Sequence, residues 1–454
     1  MAIQETRMTT TFLRDHPDDS FTIEAALANG AYEMLPVAFG QAPDDIVKTV
    51  QDSGLRGKGG AGFSTGQKWS FLPKDVFPRY LAVNADEGEP ATFKDHMLLE
   101  RDPHQLIEGI VIAAYAIQAH HAFIYMRGEF ALGADRVRQA LADAYAHGFV
   151  GKDIQGSGFD LEIVLHRGAG CYIAGDETAL LSSLEGERAM PRIKPPFPAA
   201  QGVYASPTIV NNVETLSTVP HILRHGAEWH AAMGIERSRG TRIFSLAGHV
   251  ERPGNYEVEM GITFRDLIEG LGGGMKDGAK MGFFIPGGAS SPWLLEEHLD
   301  VALDIDYVQT QLTGATTMLG SGAVTVFDDT VDPLLIAWRI AKFFAHESCG
   351  KCTPCREGSG WIEKVLYRML NGQGRPEDLD LLLSFGNNIA PGLDWPPGQT
   401  TICPLGPSTV SPMVSLNRWW RDEIIERMAR DTEARRAIEV QAMEVSAAAE
   451  VAVS

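Results

Sequence analysis

Apolar residues fall into three successive patterns along the chain. Between residues 51 and 235, short apolar runs alternate with longer stretches of helical spacing. Tyr80–Asn84 (YLAVN), Ala122–Arg127 (AFIYMR) and Leu161–His166 (LEIVLH) read as strands. Pro103–Gln118 and the stretch after Asp176 read as helices, and this alternation predicts an α/β sheet. Near residue 240 the pattern shortens. Thr241–Gly248, Gly254–Val258 and Gly282–Pro286 read as strands with glycine turns, and Thr263–Leu271 as a short helix, so a small β-rich domain is expected. From Asp332 the spacing becomes helical, at Leu334–His346, Gly360–Leu370, Pro376–Phe385 and Trp419–Met428. The first 50 residues read as an acidic, partly helical lead-in. The Ala/Glu-rich tail after Arg430 reads as frayed or disordered.

Composition narrows the classes. A chain of 454 residues can hold two to four domains. Its formal charge of −20 argues against nucleic acid or an anionic bilayer as the main partner. The most apolar stretch, Ile107–Met126, contains Glu108, Gln118, His120 and His121, so it reads as buried and not as a membrane span. The opening residues lack an apolar signal region, which makes the reducing cytoplasm the expected compartment. Five cysteines in such a compartment are better suited to metal than to disulfides.

Four of them form a pattern. Cys349, Cys352 and Cys355 are spaced C-x2-C-x2-C, and Cys403 follows in Thr401-Ile402-Cys403-Pro404. Three sulfurs of one tight loop can converge on a cubane that a distant fourth cysteine closes. Structural zinc on four cysteines usually shows two separated C-x2-C knuckles, so the spacing favours [4Fe–4S] over zinc. Lys351 and Arg356 would raise the potential of such a cluster, or are solvated loop charges. Cys171 stands alone and reads as a small apolar residue or a cofactor contact.

The glycine cluster Gly54–Phe63 formally contains G-x-G-x-x-G at Gly57, Gly59 and Gly62. A Rossmann fingerprint needs a preceding strand, whereas Ile46–Ser53 reads as a helix, so the motif alone is weak. Closely spaced glycines nonetheless let backbone N–H groups reach a phosphate or a flat ring. Arg56, Lys58 and Lys68 add positive charge there, and Phe63, Trp69 and Phe71 could stack on rings. Asn84-Ala85-Asp86-Glu87-Gly88-Glu89-Pro90 follows a predicted strand, where α/β folds place ligands. Asp176-Glu177-Thr178 and Asn211-Asn212-Val213-Glu214 are further polar knots. Carboxylates bind ribose hydroxyls and repel a 2′-phosphate, which favours NAD over NADP. Lys194–Pro198 is a stiff loop, suited to lining a nucleotide pocket or to a plain linker.

SGLRGKGGAGF, NADEGEP, GDETALLSSLEGERAMPRIKPPFP, NNVETL and SCGKCTPCREG together resemble the NADH- and FMN-binding (F-type) subunit of respiratory complex I, NADH:quinone oxidoreductase, over roughly residues 45–430. The resemblance implies FMN contacts at Gly57, Lys58, Gly60, Lys68, Asn84, Asp86, Tyr172, Gly175, Asp176, Glu177, Asn211 and Asn212. It implies NADH contacts at Phe63, Phe71, Glu87, Glu89, Lys194 and Phe197, with Glu177 shared. It further implies an α/β flavin domain over 1–237, a β-grasp domain over 238–330 and a helical bundle carrying [4Fe–4S] over 331–430, ahead of the 431–454 tail. The expected activity is hydride transfer from NADH to FMN and single-electron transfer to the cluster, with no side chain acting as acid or base. Expected partners are a thioredoxin-like [2Fe–2S] subunit and a larger iron–sulfur subunit, at the cytoplasmic side of the inner membrane. The flavin subunit of an NAD-linked hydrogenase or formate dehydrogenase is the nearest alternative, and a zinc-stapled, non-redox binding protein a remote one. One departure stands out: the family commonly has Glu where this chain has Asp176, which is one methylene shorter.

Overall fold

The structure is a computed structural model that describes residues 19–305, 316–393 and 398–453. The first 18 positions of the expected lead-in lie outside the described residues. The chain forms two compact units, Met1–Asp328 and Asp329–Ser454. The α/β part and the small β part, expected as two domains, thus share one unit.

The first unit opens with α1 (Ile23–Ala28), α2 (Met34–Phe39), α3 (Pro43–Asp52) and α4 (Thr65–Ser70). There follow β1 (Tyr80–Ala85), α5 (Lys94–Arg101), α6 (Pro103–Ile117), β2 (His121–Met126), α7 (Ala131–Ala146), β3 (Glu162–Arg167), α8 (Glu177–Leu184), β4 (Thr208–Asn212) and α9 (Val213–His225). The strands form a four-stranded sheet in the order β3-β2-β1-β4. All neighbours are parallel. Parallel strands need crossovers and are covered on both faces, which is why their side chains are apolar in both directions. Leu81, Val83, Ala122, Ile124 and Ile209 pack into the core shared with α3, α6, α7 and α9. Ala82, Tyr125 and Val210 point to the other face, against Leu180 and Leu181 of α8. The helix α6 starts with Asp102 capping Gln105 N–H and Pro103 in its first turn, and ends where Gln118 takes a left-handed conformation (φ 57°). It is buried almost all round, so its largely apolar sequence reflects a core position.

After α10 (Ala227–Ala232) and the two-residue strands β5 (Gly234–Ile235) and β6 (Ser238–Arg239) comes the small sheet. It comprises β7 (Thr241–Gly248), β8 (Gly254–Glu259), β9 (Met281–Ile285) and β10 (Ala323–Asp328), in the order β8-β7-β10-β9. β7 and β10 pair in parallel at the centre, flanked by antiparallel β8 and β9. The short helix expected at Thr263–Leu271 appears as a wide helical turn over Asp266–Leu271.

The second unit is helical: α11 (Pro333–Glu347), α12 (Thr353–Leu370), α13 (Asp378–Ile389), α14 (Leu405–Trp419) and α15 (Arg421–Val453). The tail from 431, expected to be frayed or disordered, continues α15 instead. Its Ala, Glu and Arg are strong helix formers, so local propensity sustains the helix where the described side chains are mostly exposed.

Candidate functional site

The sheet order creates one special place. From β1 the chain moves outward through β2 to β3, then returns so that β4 lies on the opposite side of β1. Strand order reverses between β1 and β4, and a crevice opens outside the carboxyl ends of strands at such a switch point. Asn84 and Asn212 stand opposite each other there, in register. Asn84 Nδ2 donates to Gly175 O at 2.7 Å, and Asn84 Oδ1 accepts the Asp86 N–H at 3.1 Å. A Cβ on Gly175 would meet Asp86 O at 3.3 Å, so the loop before α8 lies close against the end of β1. Asn211 Oδ1 accepts the Trp69 indole N–H at 2.8 Å, which ties α4 to β4.

The glycine loop joins α3 to α4, so the helix read before it is confirmed and the Rossmann strand–loop–helix arrangement is not present. It closes on itself through Gly57 N–H to Phe63 O at 2.8 Å and an Arg56 guanidinium bond to Gly62 O. A Cβ on Gly59 would meet Asn212 Cβ at 3.1 Å, so the loop lies over the tip of β4. Gly60 has φ +138°, a backbone conformation open to glycine alone. Phe63 and Phe71 remain 47% and 54% exposed, with ring centroids 5.9 Å apart. Phe197 is also exposed. Exposed aromatic rings beside a crevice supply flat apolar surface for a ring system.

Charge is arranged around one carboxylate. Lys68 Nζ lies 3.0 Å from Glu177 Oε2 and also donates to Val210 O, and Lys194 Nζ reaches Glu177 Oε1. Burial works against the charge of Glu177, but the two lysines outweigh it and hold its pKa at about 2. The neighbouring Asp176 is spent differently. Its Oδ1 accepts the N–H groups of Thr178 and Ala179 and the Thr178 hydroxyl, which makes it the N-cap of α8.

Two expected ligand contacts have side chains turned away from the crevice. Lys58, expected at the flavin, is buried, with Nζ 2.9 Å from Thr218 Oγ1 and 3.5 Å from Glu214 Oε1. Its backbone N–H donates to Thr215 Oγ1. Glu87, expected at NADH, accepts the N–H groups of Asp95 and His96 at 2.9 Å each, at the start of α5. Unpaired N–H groups at a helix start attract a carboxylate, which explains the turn inward. Burial, reinforced by the Asp95 charge, pushes the Glu87 pKa up to about 7. Glu89 is fixed by Tyr172 Oη at 2.6 Å and Ser290 N–H at 2.8 Å.

The sequence reading missed the buried network beneath the crevice. Lys94 Nζ sits 2.9 Å from both Asp95 Oδ1 and Glu214 Oε2, Asn212 Nδ2 donates to Asp95 Oδ2, and Ile243 N–H donates to Glu214 Oε1. Charges this deep persist because each is paired and hydrogen-bonded. Lys94-Asp95 looks like any surface dipeptide in the sequence, and no local signal marks it as buried.

In the second unit, Cys352 is the N-cap residue of α12 and Cys355 lies in its first turn. Gly350 (φ +78°) bends the loop between Cys349 and Cys352, and Arg356 braces it by donating to Gly350 O at 2.9 Å. Ile402 N–H donates to Cys352 Sγ at 3.2 Å, which brings the segment of Cys403 to the triplet. Burial raises the Cys355 thiol pKa, a Ser348 contact at 3.3 Å opposes that, and the nearby Cys349 and Cys352 raise it further. Among the described residues no group of three or more His, Cys, Asp or Glu side chains could hold a metal ion as they stand. A four-iron cluster is spread over four cysteine ligands, so its thiolates stand around it and need not meet at one point. The positive end of α12 and the N–H at Cys352 Sγ suit the negative charge of a thiolate-bound cluster. Cys171 is half-buried against the core beneath α8. No helix among the described residues is long and apolar enough to cross a membrane.

Residues 50–221 match the Nuo51 FMN-binding domain, residues 335–427 the NADH-ubiquinone oxidoreductase-F iron-sulfur binding region, and residues 243–290 the SLBB domain. The NADH-quinone oxidoreductase F subunit of Mycobacterium tuberculosis is 49% identical over 399 residues, covering 87% of each chain. The F subunit of Streptomyces coelicolor is 48% identical over 412 residues, covering 90% of this chain and 89% of that one. Among solved structures, an NAD+-reducing [NiFe]-hydrogenase in the H2-reduced state superposes with a TM-score of 0.77 at 35% identity, covering 89% of this chain. The chain spans 66% of that hydrogenase chain's length. With relatives this similar over most of its length, the chain belongs to the family of NADH-quinone oxidoreductase F subunits.

Proposed function

We propose that this chain is the NADH-oxidising flavoprotein subunit of an NADH:quinone oxidoreductase, with FMN in the β1/β4 crevice and [4Fe–4S] on Cys349, Cys352, Cys355 and Cys403. The observation that carries this is the convergence of Asn84, Asp86, Gly175, Asn211 and the glycine loop on one topological switch point. Bound FMN supplies the conversion between hydride transfer from NADH and single-electron transfer to iron–sulfur. The protein supplies orientation and charge. The glycine loop lies over the tip of β4, where its missing side chains let backbone approach a flat ring or a phosphate. Asn84 and Asn212 fix the floor. Phe63, Phe71 and Phe197 offer stacking surface for the nucleotide, and Glu89 and Glu177 offer carboxylates for its hydroxyls. The Glu177 carboxylate stays ionised between Lys68 and Lys194, so it accepts hydrogen bonds and donates none.

We read the small sheet, with its first and last strands parallel at the centre, as a β-grasp domain, and the second unit as the bundle carrying the cluster. Partner iron–sulfur subunits, a thioredoxin-like [2Fe–2S] subunit and a larger one, would take the electrons on. The chain would then work as a peripheral subunit at the cytoplasmic face. The hydrogenase likeness supports a second reading, as the flavin subunit of an NAD-linked hydrogenase. The curated relatives, at 45–52% identity, favour the first. Cofactor analysis of the complex as purified decides: one FMN per chain and a four-iron EPR signal on adding NADH support the reading, and a colourless zinc protein overturns it. A nickel-containing partner subunit selects the hydrogenase.

A further inference from the structure

Glu89 follows β1, yet the groups that hold its carboxylate come from two other elements. Oε1 accepts the Ser290 N–H at 2.8 Å and Oε2 accepts the Tyr172 O–H at 2.6 Å. Tyr172 Oη and Ser290 Oγ are 3.3 Å apart, which closes the triangle. Ser290 belongs to the turn Gly287–Ser291, directly after β9 in the small sheet. That turn is rigid by its own bonds: Gly287 N–H to Ser291 Oγ at 3.0 Å, Ser291 Oγ to Gly288 O at 2.8 Å, and Gly288 N–H to Ala323 O at 2.8 Å. Gly288 has φ +88°, and a Cβ there would stand 2.6 Å from Glu89 Cγ and 2.7 Å from Glu89 Oε1. The turn is therefore shaped around this side chain. A carboxylate with both oxygens fixed before the ligand arrives loses little freedom on binding, which favours affinity.

We infer that Tyr172 and the Gly287–Ser291 turn act as a clamp that positions Glu89 for the nucleotide, so that the small β part sets the affinity of the flavin site for NADH. This rests on the reading above that NADH lies against Glu89. Tyr172 and Gly288 are positioning residues here: they act through Glu89. Were the clamp only a fastening between the two parts of the unit, its loss would lower thermal stability and leave nucleotide binding unchanged.

The test is a double-mutant cycle in the assembled complex, reading NADH oxidation with an artificial electron acceptor and checking flavin content by absorbance. Tyr172→Phe removes one hydroxyl and is expected to raise KM for NADH roughly tenfold in protein that retains its flavin. Gly288→Ala, which displaces Glu89 from the other side, is expected to act in the same direction. In a Glu89→Gln background, Tyr172→Phe is expected to add little. The clamp is refuted if the single variants leave KM unchanged, or if the effects of Glu89→Gln and Tyr172→Phe multiply as independent ones would. If Gly288→Ala fails to assemble with flavin, the Tyr172 cycle decides alone. If Glu89→Gln itself leaves KM unchanged, the placement of NADH at Glu89 fails and the clamp fails with it, an outcome distinct from a Glu89 effect that Tyr172 does not share.

Discussion

At the scale of single residues, what a side chain does depends on which neighbour reaches it first. Asp176 caps α8 with a single oxygen serving three donors. Aspartate is among the best N-cap residues, because its short chain keeps the oxygen over the exposed N–H groups. Asp176→Ala is expected to cost about 1 kcal/mol, visible as a lowered melting temperature of the apo chain. Glu87 and Glu89 sit two residues apart in one motif and have opposite surroundings. Glu87 is consumed by the start of α5, while Glu89 is held between a phenol and a backbone N–H.

At the scale of elements, α6 and the cysteine loop each carry a testable consequence. Glu108 is buried on α6, where its Oε1 accepts the Met34 N–H at 2.9 Å. Burial pushes its pKa up to about 7 from 4.5. Between those values the folded chain holds a proton that the unfolded chain has lost, so this group lowers stability as pH rises from 4.5 to 7. Glu108→Gln keeps the acceptor and removes the charge. The variant is expected to match the parent near pH 4.5 and to be more stable at pH 8, by on the order of 1–3 kcal/mol. Melting curves of parent and variant at the two pH values check the sign. In the second unit, Cys352 both begins α12 and accepts the Ile402 N–H. Cys352→Ala is expected to lose the cluster, because three ligands leave one iron open. A retained reducible four-iron EPR signal would show that another group ligates it.

At the scale of the whole molecule, the division into two compact units falls between Asp328 and Asp329, and it separates the two kinds of chemistry. Every expected FMN and NADH contact lies in the first unit, and all four cluster cysteines lie in the second. The chain ended after Asp328 is therefore expected to keep the yellow flavin spectrum and to lack the broad iron–sulfur absorption. Loss of flavin from that fragment would mean that the second unit supports the crevice. The small sheet belongs with the flavin part at this scale, as the Ser290–Glu89 contact shows at the smallest one.

The strands β1, β2, β3, β7, β8 and β9 were legible because strong local apolar runs bounded by turns leave few other conformations. The cysteine set was legible because ligand spacing is itself a sequence property. Other features were decided by packing. β4 is five residues with a polar tip, and it becomes a strand by pairing with β1. β10 gains its place by inserting between β7 and β9. α14 contains Gly406, Pro407 and Pro412, which argue locally against a helix, yet Leu405–Leu416 is buried throughout and the surrounding helices impose its conformation. The inward turn of Lys58 and Glu87, the Lys94–Glu214 network and the hold of Ser290 on Glu89 join positions up to 201 residues apart. Short-range propensity and motif spacing fixed which chemistry this chain could carry. Burial and long-range pairing, whose energies exist only once distant segments meet, determined which side chains were left to perform it.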